Sequence, residues 1–206
     1  MKTKTLLIVF LTGIIFTSCQ KEGDLPNREV NEKVLGTWNF VAMDVELATE
    51  MIAGSGIDQE RMLSHYVLSS TNNKGTITFD ETKGFSENLS YSYNTTVDFK
   101  YYVGGVFDSE FQSPMVGDMP ASHGIAEYSA RGADSLHFEK GFSIIEAPAS
   151  QGGPVAQATE PVTVGLSWAK DTMVLTAHVI RTQNQMINGF NTLMKYNVRQ
   201  VVKLKK

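Results

Sequence analysis

Apolar and polar residues alternate over much of the chain after Val34, a period of two that is typical of strands with one buried face. The clearest stretch runs from Leu89 to Val103, where every second position is apolar, aromatic or threonine and most positions between them are polar. This stretch exceeds the usual strand length of about 5–6 residues. It is therefore either one long strand or two strands that fold back near Asn94.

The same alternation predicts seven further strands. Turn-forming residues separate several of them, for example around Gly84, Gly132 and Asp171. About eight strands with short antiparallel connections predict an all-β fold, either a closed antiparallel β-barrel or a sandwich. The predicted strands are Thr37–Leu47, Thr76–Phe79, Ile125–Arg131, Ser135–Glu139, Val162–Trp168, Met173–Arg181 and Lys195–Leu204.

Three segments depart from the strand pattern. Two of them, Gln112–Gly124 and Pro148–Pro161, are rich in Pro, Gly, small and polar residues and predict long loops. The third predicts one short helix from Asp58 to Leu68. Its apolar residues would share a helical face: Met62, Leu63, Tyr66 and Val67.

The N-terminal residues have the order of an export signal, with a basic start at Lys2 and Lys4, an apolar stretch from Leu6 to Phe16 and small residues before Cys19. The apolar stretch is too short for a membrane helix, which needs about 20 residues. We expect residues 1–18 to be a signal peptide. Residues 19–32 are polar and predict a flexible tether, and residues 33–206 then form one domain.

The tetrapeptide Phe16-Thr17-Ser18-Cys19 resembles the lipobox of bacterial lipoproteins. This resemblance implies that Cys19 is lipidated and becomes the new N-terminus, with an ordinary secretory signal as the alternative. It also implies that lipid attaches the protein to the outer membrane, on either its periplasmic or its surface face. Several acyl chains would give stable anchoring, which one chain does not.

Cysteine usage and charge narrow the chemistry further. Cys19 is the one cysteine of the chain, so a lipidated form has neither a disulfide nor a thiol nucleophile. The formal net charge is −4, and removal of Lys2 and Lys4 with the signal would lower it by two. An acidic chain of this kind argues against nucleic acid as a partner.

The first predicted strand carries Gly36-Thr37-Trp38, which resembles the Gly-x-Trp of the lipocalin first strand. Lipocalins also place a basic residue of the last strand over that tryptophan, and Arg199 is the matching position. The layout is similar to the lipocalin-like lipoproteins of Bacteroidetes. This resemblance implies an eight-stranded barrel that Trp38 and Arg199 close at one end by a cation–π contact.

One face of the predicted strand at Leu89–Val103 carries Tyr91, Tyr93, Phe99 and Tyr101. In a small barrel such a face either packs the core or lines a cavity, and buried tyrosine hydroxyls need partners. These residues and Trp168 are candidates for ligand contact, with core packing as the alternative.

Other chemistry has weaker support. Met115, Met119 and His123 are spaced by four residues and could bind copper or haem iron, although Pro120 and Gly117 disfavour the helix that would align them. No sequence motif pairs the four histidines, and no nucleophile elbow or phosphate loop is present.

The sequence thus predicts a non-enzymatic lipoprotein, without a cofactor, that binds a small and mostly apolar ligand inside a barrel. Two alternatives stay open. One is an interaction protein with a filled barrel, whose two long loops bind an envelope or host partner that the sequence does not identify. The other is a haem or copper binder.

Overall fold

The computed structural model describes residues 32–140, 161–187 and 189–206, which are almost entirely antiparallel strands. The predicted signal peptide, Cys19, nearly all of the tether and residues 148–160 of the second predicted loop lie outside these ranges. Residues 32–34 are helical, and a short 3-10 helix spans Gly56–Asp58. The strands are β1 Gly36–Ala53, β2 Glu60–Ser69, β3 Thr71–Phe79, β4 Lys83–Val103, β5 Val106–Ala130, β6 Ser135–Phe138, β7 Val162–Ala169, β8 Thr172–Ile187 and β9 Phe190–Lys205.

All eight strands predicted from the alternating pattern are present. The stretch from Leu89 to Val103 belongs to β4, which runs unbroken through Asn94, so the fold-back alternative is wrong. Most observed strands extend beyond their predicted ends.

The helix predicted at Asp58–Leu68 is wrong, since residues 60–69 form β2, and only a 3-10 turn precedes it. Met62 and Tyr66 lie on the inward face of β2, while Val67 lies on the outward face and is 56% exposed. Apolar residues on both faces of this strand have the spacing of an apolar helical face, which explains the wrong prediction. The loop predicted at Gln112–Gly124 is also wrong, because these residues form the middle of β5.

The strands close into a ring of eight. From β3 to β9 each strand pairs with the next one in the chain, and β1 completes the ring by pairing with both β3 and β9. The ninth strand, β2, lies end to end with β3 between β1 and β4 and pairs with both. Ser70 joins β2 to β3 and holds the joint against β1, since its N–H donates to the Met43 carbonyl and its Oγ accepts from the Met43 N–H, both at 2.8 Å.

We call the end of the ring where β1 begins the base and the end where β1 finishes the mouth. The eight-stranded pairing is complete only in the base half, because β6 and β7 are short. Among the described residues, β5 pairs with β6 only at Tyr128–Ala130, and β8 pairs with β7 only up to Ala177. Toward the mouth, the described pairings leave the sheet open between β5 and β8.

The apolar core fills the base half of the ring. It includes Phe79, Leu136, Phe138, Met173 and Leu204, each almost completely buried. Within the described ranges, no helix has the length and hydropathy needed to span a membrane.

Candidate functional site

The base of the ring is sealed around Trp38, which is 3% exposed. Its indole Nε1 donates a hydrogen bond of 2.7 Å to the Val34 carbonyl, and the Trp168 ring lies at a centroid distance of 5.7 Å. Lys206 Nζ lies 4.7 Å from the indole centroid. Trp38 is thus packed inside the base, and a basic residue at the end of the chain covers its ring.

The predicted partner of Trp38 is wrong. Arg199 is exposed and lies in register with Glu46 on β1, roughly 26 Å along that strand from Trp38 at about 3.3 Å per residue. Odd-numbered positions of β9 near Arg199 point outward, so its guanidinium cannot reach the interior of the base. Trp168 is part of the base and therefore lies far from Phe99 and Tyr101, which are toward the mouth.

Three inward-facing tyrosines belong to the apolar core or pack against it. Tyr91 and Tyr93 on β4 are buried, with ring centroids 6.4 Å apart, and Tyr66 on β2 is partly buried. Burial raises the pKa of Tyr66 and of Tyr91, and the neighbouring Tyr93 phenol adds to both shifts. These two hydroxyls therefore stay protonated at neutral pH and can donate hydrogen bonds.

The hydroxyls of this tyrosine cluster accept or donate no hydrogen bond within the described part of the chain. A buried polar atom normally has a partner. Among the described side chains, Asn73 Oδ1 is the one oxygen or nitrogen that is fully buried and has no hydrogen-bond partner. The tyrosine oxygens consequently retain some accessible surface.

Toward the mouth, the registers place six inward-facing residues side by side across six adjacent strands. We call this set the amphipathic row. It has polar side chains at one end and two phenyl rings at the other. Its members, in order across the sheet, are Arg181, Tyr196, Thr49, Ser64, Phe99 and Phe111.

Contacts within the amphipathic row join four of its members in two pairs. Thr49 and Ser64 share a hydroxyl hydrogen bond of 2.5 Å. The Phe99 and Phe111 rings stack at 4.8 Å between centroids, with 14° between their planes. Phe111 is nevertheless 52% exposed, because β5 has no further described neighbour at this level.

One step closer to the mouth lies a second inward-facing row that is rich in methionine. Met194, Met51 and Met62 are in register on β9, β1 and β2, and Tyr101 continues the row on β4. Methionine side chains adapt to irregular shapes, which suits a surface that contacts a ligand. The predicted face of Tyr91, Tyr93, Phe99 and Tyr101 is thus inward-facing throughout.

The candidate metal residues are not brought together. Met115 and Met119 face inward on β5, whereas His123 is exposed. Four residues along a strand also separate side chains by about 13 Å. No group of three or more His, Cys, Asp or Glu in the described ranges is placed to hold a metal ion.

The histidines lie in separate places. His137 is 7% exposed, with its Nδ1 3.0 Å from Thr163 Oγ1. His178 Nε2 lies 2.8 Å from Asn197 Oδ1 on the outer surface, and His65 Nε2 lies 3.4 Å from Glu46 Oε1. None of these contacts joins two histidines.

Sequence reasoning missed five members of the amphipathic row: Arg181, Tyr196, Thr49, Ser64 and Phe111. Alternation gives each of them a face, but the register that sets them at one level is not visible in one sequence. Comparison with known proteins adds no identification, because no family model, no curated protein and no solved structure matches the chain.

Proposed function

We propose that the protein is a lipid-anchored lipoprotein whose strands form a lipocalin-like barrel that binds a small, mostly apolar molecule without changing it chemically. The observation that carries this proposal is the interior of the mouth half. There, aromatic and methionine side chains are on the same inward face as tyrosine hydroxyls that have no hydrogen-bond partner among the described residues.

The energetics of this interior suit a ligand of mixed character. Burial of apolar ligand surface contributes about 25 cal/mol per Å². The Tyr91 and Tyr93 hydroxyls and the Thr49–Ser64 pair would then fix its orientation, as a few polar groups do in most small-molecule sites. The apolar core below would form the floor of the site.

A fluorescent apolar probe tests this function. N-phenyl-1-naphthylamine is uncharged and brightens in apolar surroundings. The Ser64→Trp variant places a large side chain in the amphipathic row, and Val67→Trp places the same side chain on the exposed face of β2. We expect the natural protein and Val67→Trp to bind the probe equally, and Ser64→Trp to bind at least tenfold more weakly.

Two results would contradict the proposal. Equal binding by Ser64→Trp would place the probe outside the mouth. An absence of binding to the natural protein would favour a filled interior and the alternative role as an interaction protein. That second candidate is favoured by apolar side chains on the outer surface of β5, where Val116 is 59% and Ile125 is 71% exposed.

A further inference from the structure

We infer that the mouth half also binds a soft monovalent metal ion, Cu(I), through the thioether sulfurs of Met51, Met62 and Met194. These residues, which we call the methionine cluster, face inward at one level on three adjacent strands. The inference goes beyond the proposed binding of an apolar molecule and does not depend on it.

The strand registers bring the three side chains of the methionine cluster together. Met51 on β1 is directly opposite Met62 on β2 and directly opposite Met194 on β9. Residues paired in this way have Cβ atoms about 4.5–5.5 Å apart. A methionine side chain has three rotatable bonds. The two outer sulfurs can therefore turn toward the central one and share a metal ion with it.

Ion pairs on the outer face hold the same three strands together at this level. Glu50 Oε1 accepts from Arg61 Nε at 2.5 Å, and Glu50 Oε2 accepts from Lys195 Nζ at 2.8 Å. Each of these three residues is a chain neighbour of one member of the methionine cluster. Because successive side chains of a strand point to opposite faces, the ion pairs lie directly behind the thioethers and fix the strands that carry them.

The ligand chemistry of the methionine cluster selects the metal. Thioethers are soft ligands that favour Cu(I), whereas Cu(II) and Zn(II) are better held by imidazole. No histidine lies at this level on the inward face. His65 and His178 are on the outer surface, His123 is exposed, and His137 belongs to β6 in the base half. The cluster therefore discriminates against both divalent ions.

Two carboxylates lie close to the methionine cluster. Desolvation raises the pKa of Tyr101, which is in register with Met62, and a hydrogen bond with Glu60 and the charge of Asp108 add to the shift. These carboxylates favour the approach of a cation. Arg181 faces inward one level farther from the mouth and has an interaction of its own within the chain. Binding of the ion consequently depends on the thioethers, and the carboxylates assist its entry.

Cu(I) itself is the probe, kept reduced by ascorbate without oxygen and supplied by the coloured chelator bicinchoninate. Every protein of the set carries Cys19→Ser, which removes the one thiol of the chain and with it a competing soft ligand. We expect one Cu(I) per chain and at least tenfold weaker binding in Met51→Leu and in Met62→Leu. Leucine is apolar and close to methionine in volume. Met186→Leu is the matched control and should bind unchanged, because Met186 is 68% exposed near the end of β8.

X-ray absorption at the copper edge gives a second readout that needs no methionine variant. We expect sulfur neighbours around the copper of the Cys19→Ser protein, and a coordination by nitrogen or oxygen alone would overturn the inference. Equal affinities of Met51→Leu, Met62→Leu and Met186→Leu would place the ion elsewhere and also overturn it. An absence of Cu(I) binding would show that the methionine cluster only packs the interior, while the proposed function would still stand or fall by its own fluorescent probe.

Discussion

At the scale of single residues, the interior depends on a close approach between Tyr93 and Gly117, which are partners in the β4–β5 register. A Cβ atom added to Gly117 would lie 2.6 Å from the Tyr93 hydroxyl oxygen and 2.8 Å from Cζ. Tyr93 is 7% exposed, so its ring has little room to move away. Glycine is required here to leave space for the phenol.

We therefore expect Gly117→Ala to lower the free energy of unfolding by about 1–3 kcal/mol, the usual cost of overpacking. Urea denaturation measures this change. Gly165→Ala is the matched control, because the nearest atom to its added Cβ is the Thr176 carbonyl oxygen at an ordinary 3.7 Å. Equal stability of the two variants would show that the Tyr93 ring moves freely.

The residues of the site differ in how far the sequence reveals them. Alternation along β4 placed Tyr91, Tyr93, Phe99 and Tyr101 on one face, and the structure confirms that this face is inward. Arg181 could not be selected in this way, because its place in the amphipathic row depends on its register with Tyr196 on β9. Arg199 was selected by resemblance alone, and its position in register excludes the predicted contact with Trp38.

At the scale of whole elements, β5 shows why composition misleads. Its middle contains Pro114, Gly117 and Pro120, which normally indicate a loop. A proline lacks an N–H and is tolerated in a strand at an edge or a bulge. Toward the mouth, β5 pairs only with β4 among the described strands, and the β4–β5 register is irregular near Pro120. The edge position, which the sequence does not show, makes these residues compatible with a strand.

The base end of β5 is joined to the β3–β4 turn by Tyr128. The Tyr128 hydroxyl donates to the Asp80 carbonyl at 2.5 Å. Burial, with a smaller contribution from the Asp80 charge, raises the pKa of Tyr128 from 10.0 to about 12. The folded state thus keeps this proton above pH 10, where the unfolded chain releases it.

This difference predicts a loss of stability in alkali. Tyr128 contributes its full stabilisation below pH 10, and the contribution falls as the pH rises from 10 toward 12. A shift of this size corresponds to about 1–3 kcal/mol. We expect the free energy of unfolding of Tyr128→Phe to fall less steeply than that of the natural protein between pH 9 and 11, as measured by urea denaturation at each pH. Parallel curves would contradict the assignment.

At the scale of the whole molecule, the two ends of the ring differ. Packed side chains close the base, whereas the described pairings leave the sheet open toward the mouth. Trp38, Trp168 and Lys206 lie together at the base, where all eight strands are paired. The amphipathic row lies toward the mouth, where the described pairing between β5 and β8 is absent. The chain enters β1 at the base, so an anchor on the preceding residues would be attached at the end opposite the proposed ligand site.

This separation leads to a prediction about anchoring. Cys19 is the chain's one cysteine, so thiol-linked lipid has no alternative attachment point. We expect the natural protein to incorporate alkyne-labelled palmitate in a bacterial host, and Cys19→Ser to incorporate none. Ser18→Ala keeps a small residue before the cysteine and should still be labelled.

Because the row lies within β1, β2, β4, β5, β8 and β9, Cys19→Ser should bind N-phenyl-1-naphthylamine as tightly as the natural protein. Persistent labelling of Cys19→Ser would contradict lipidation at this residue, and weaker probe binding would contradict the independence of site and anchor.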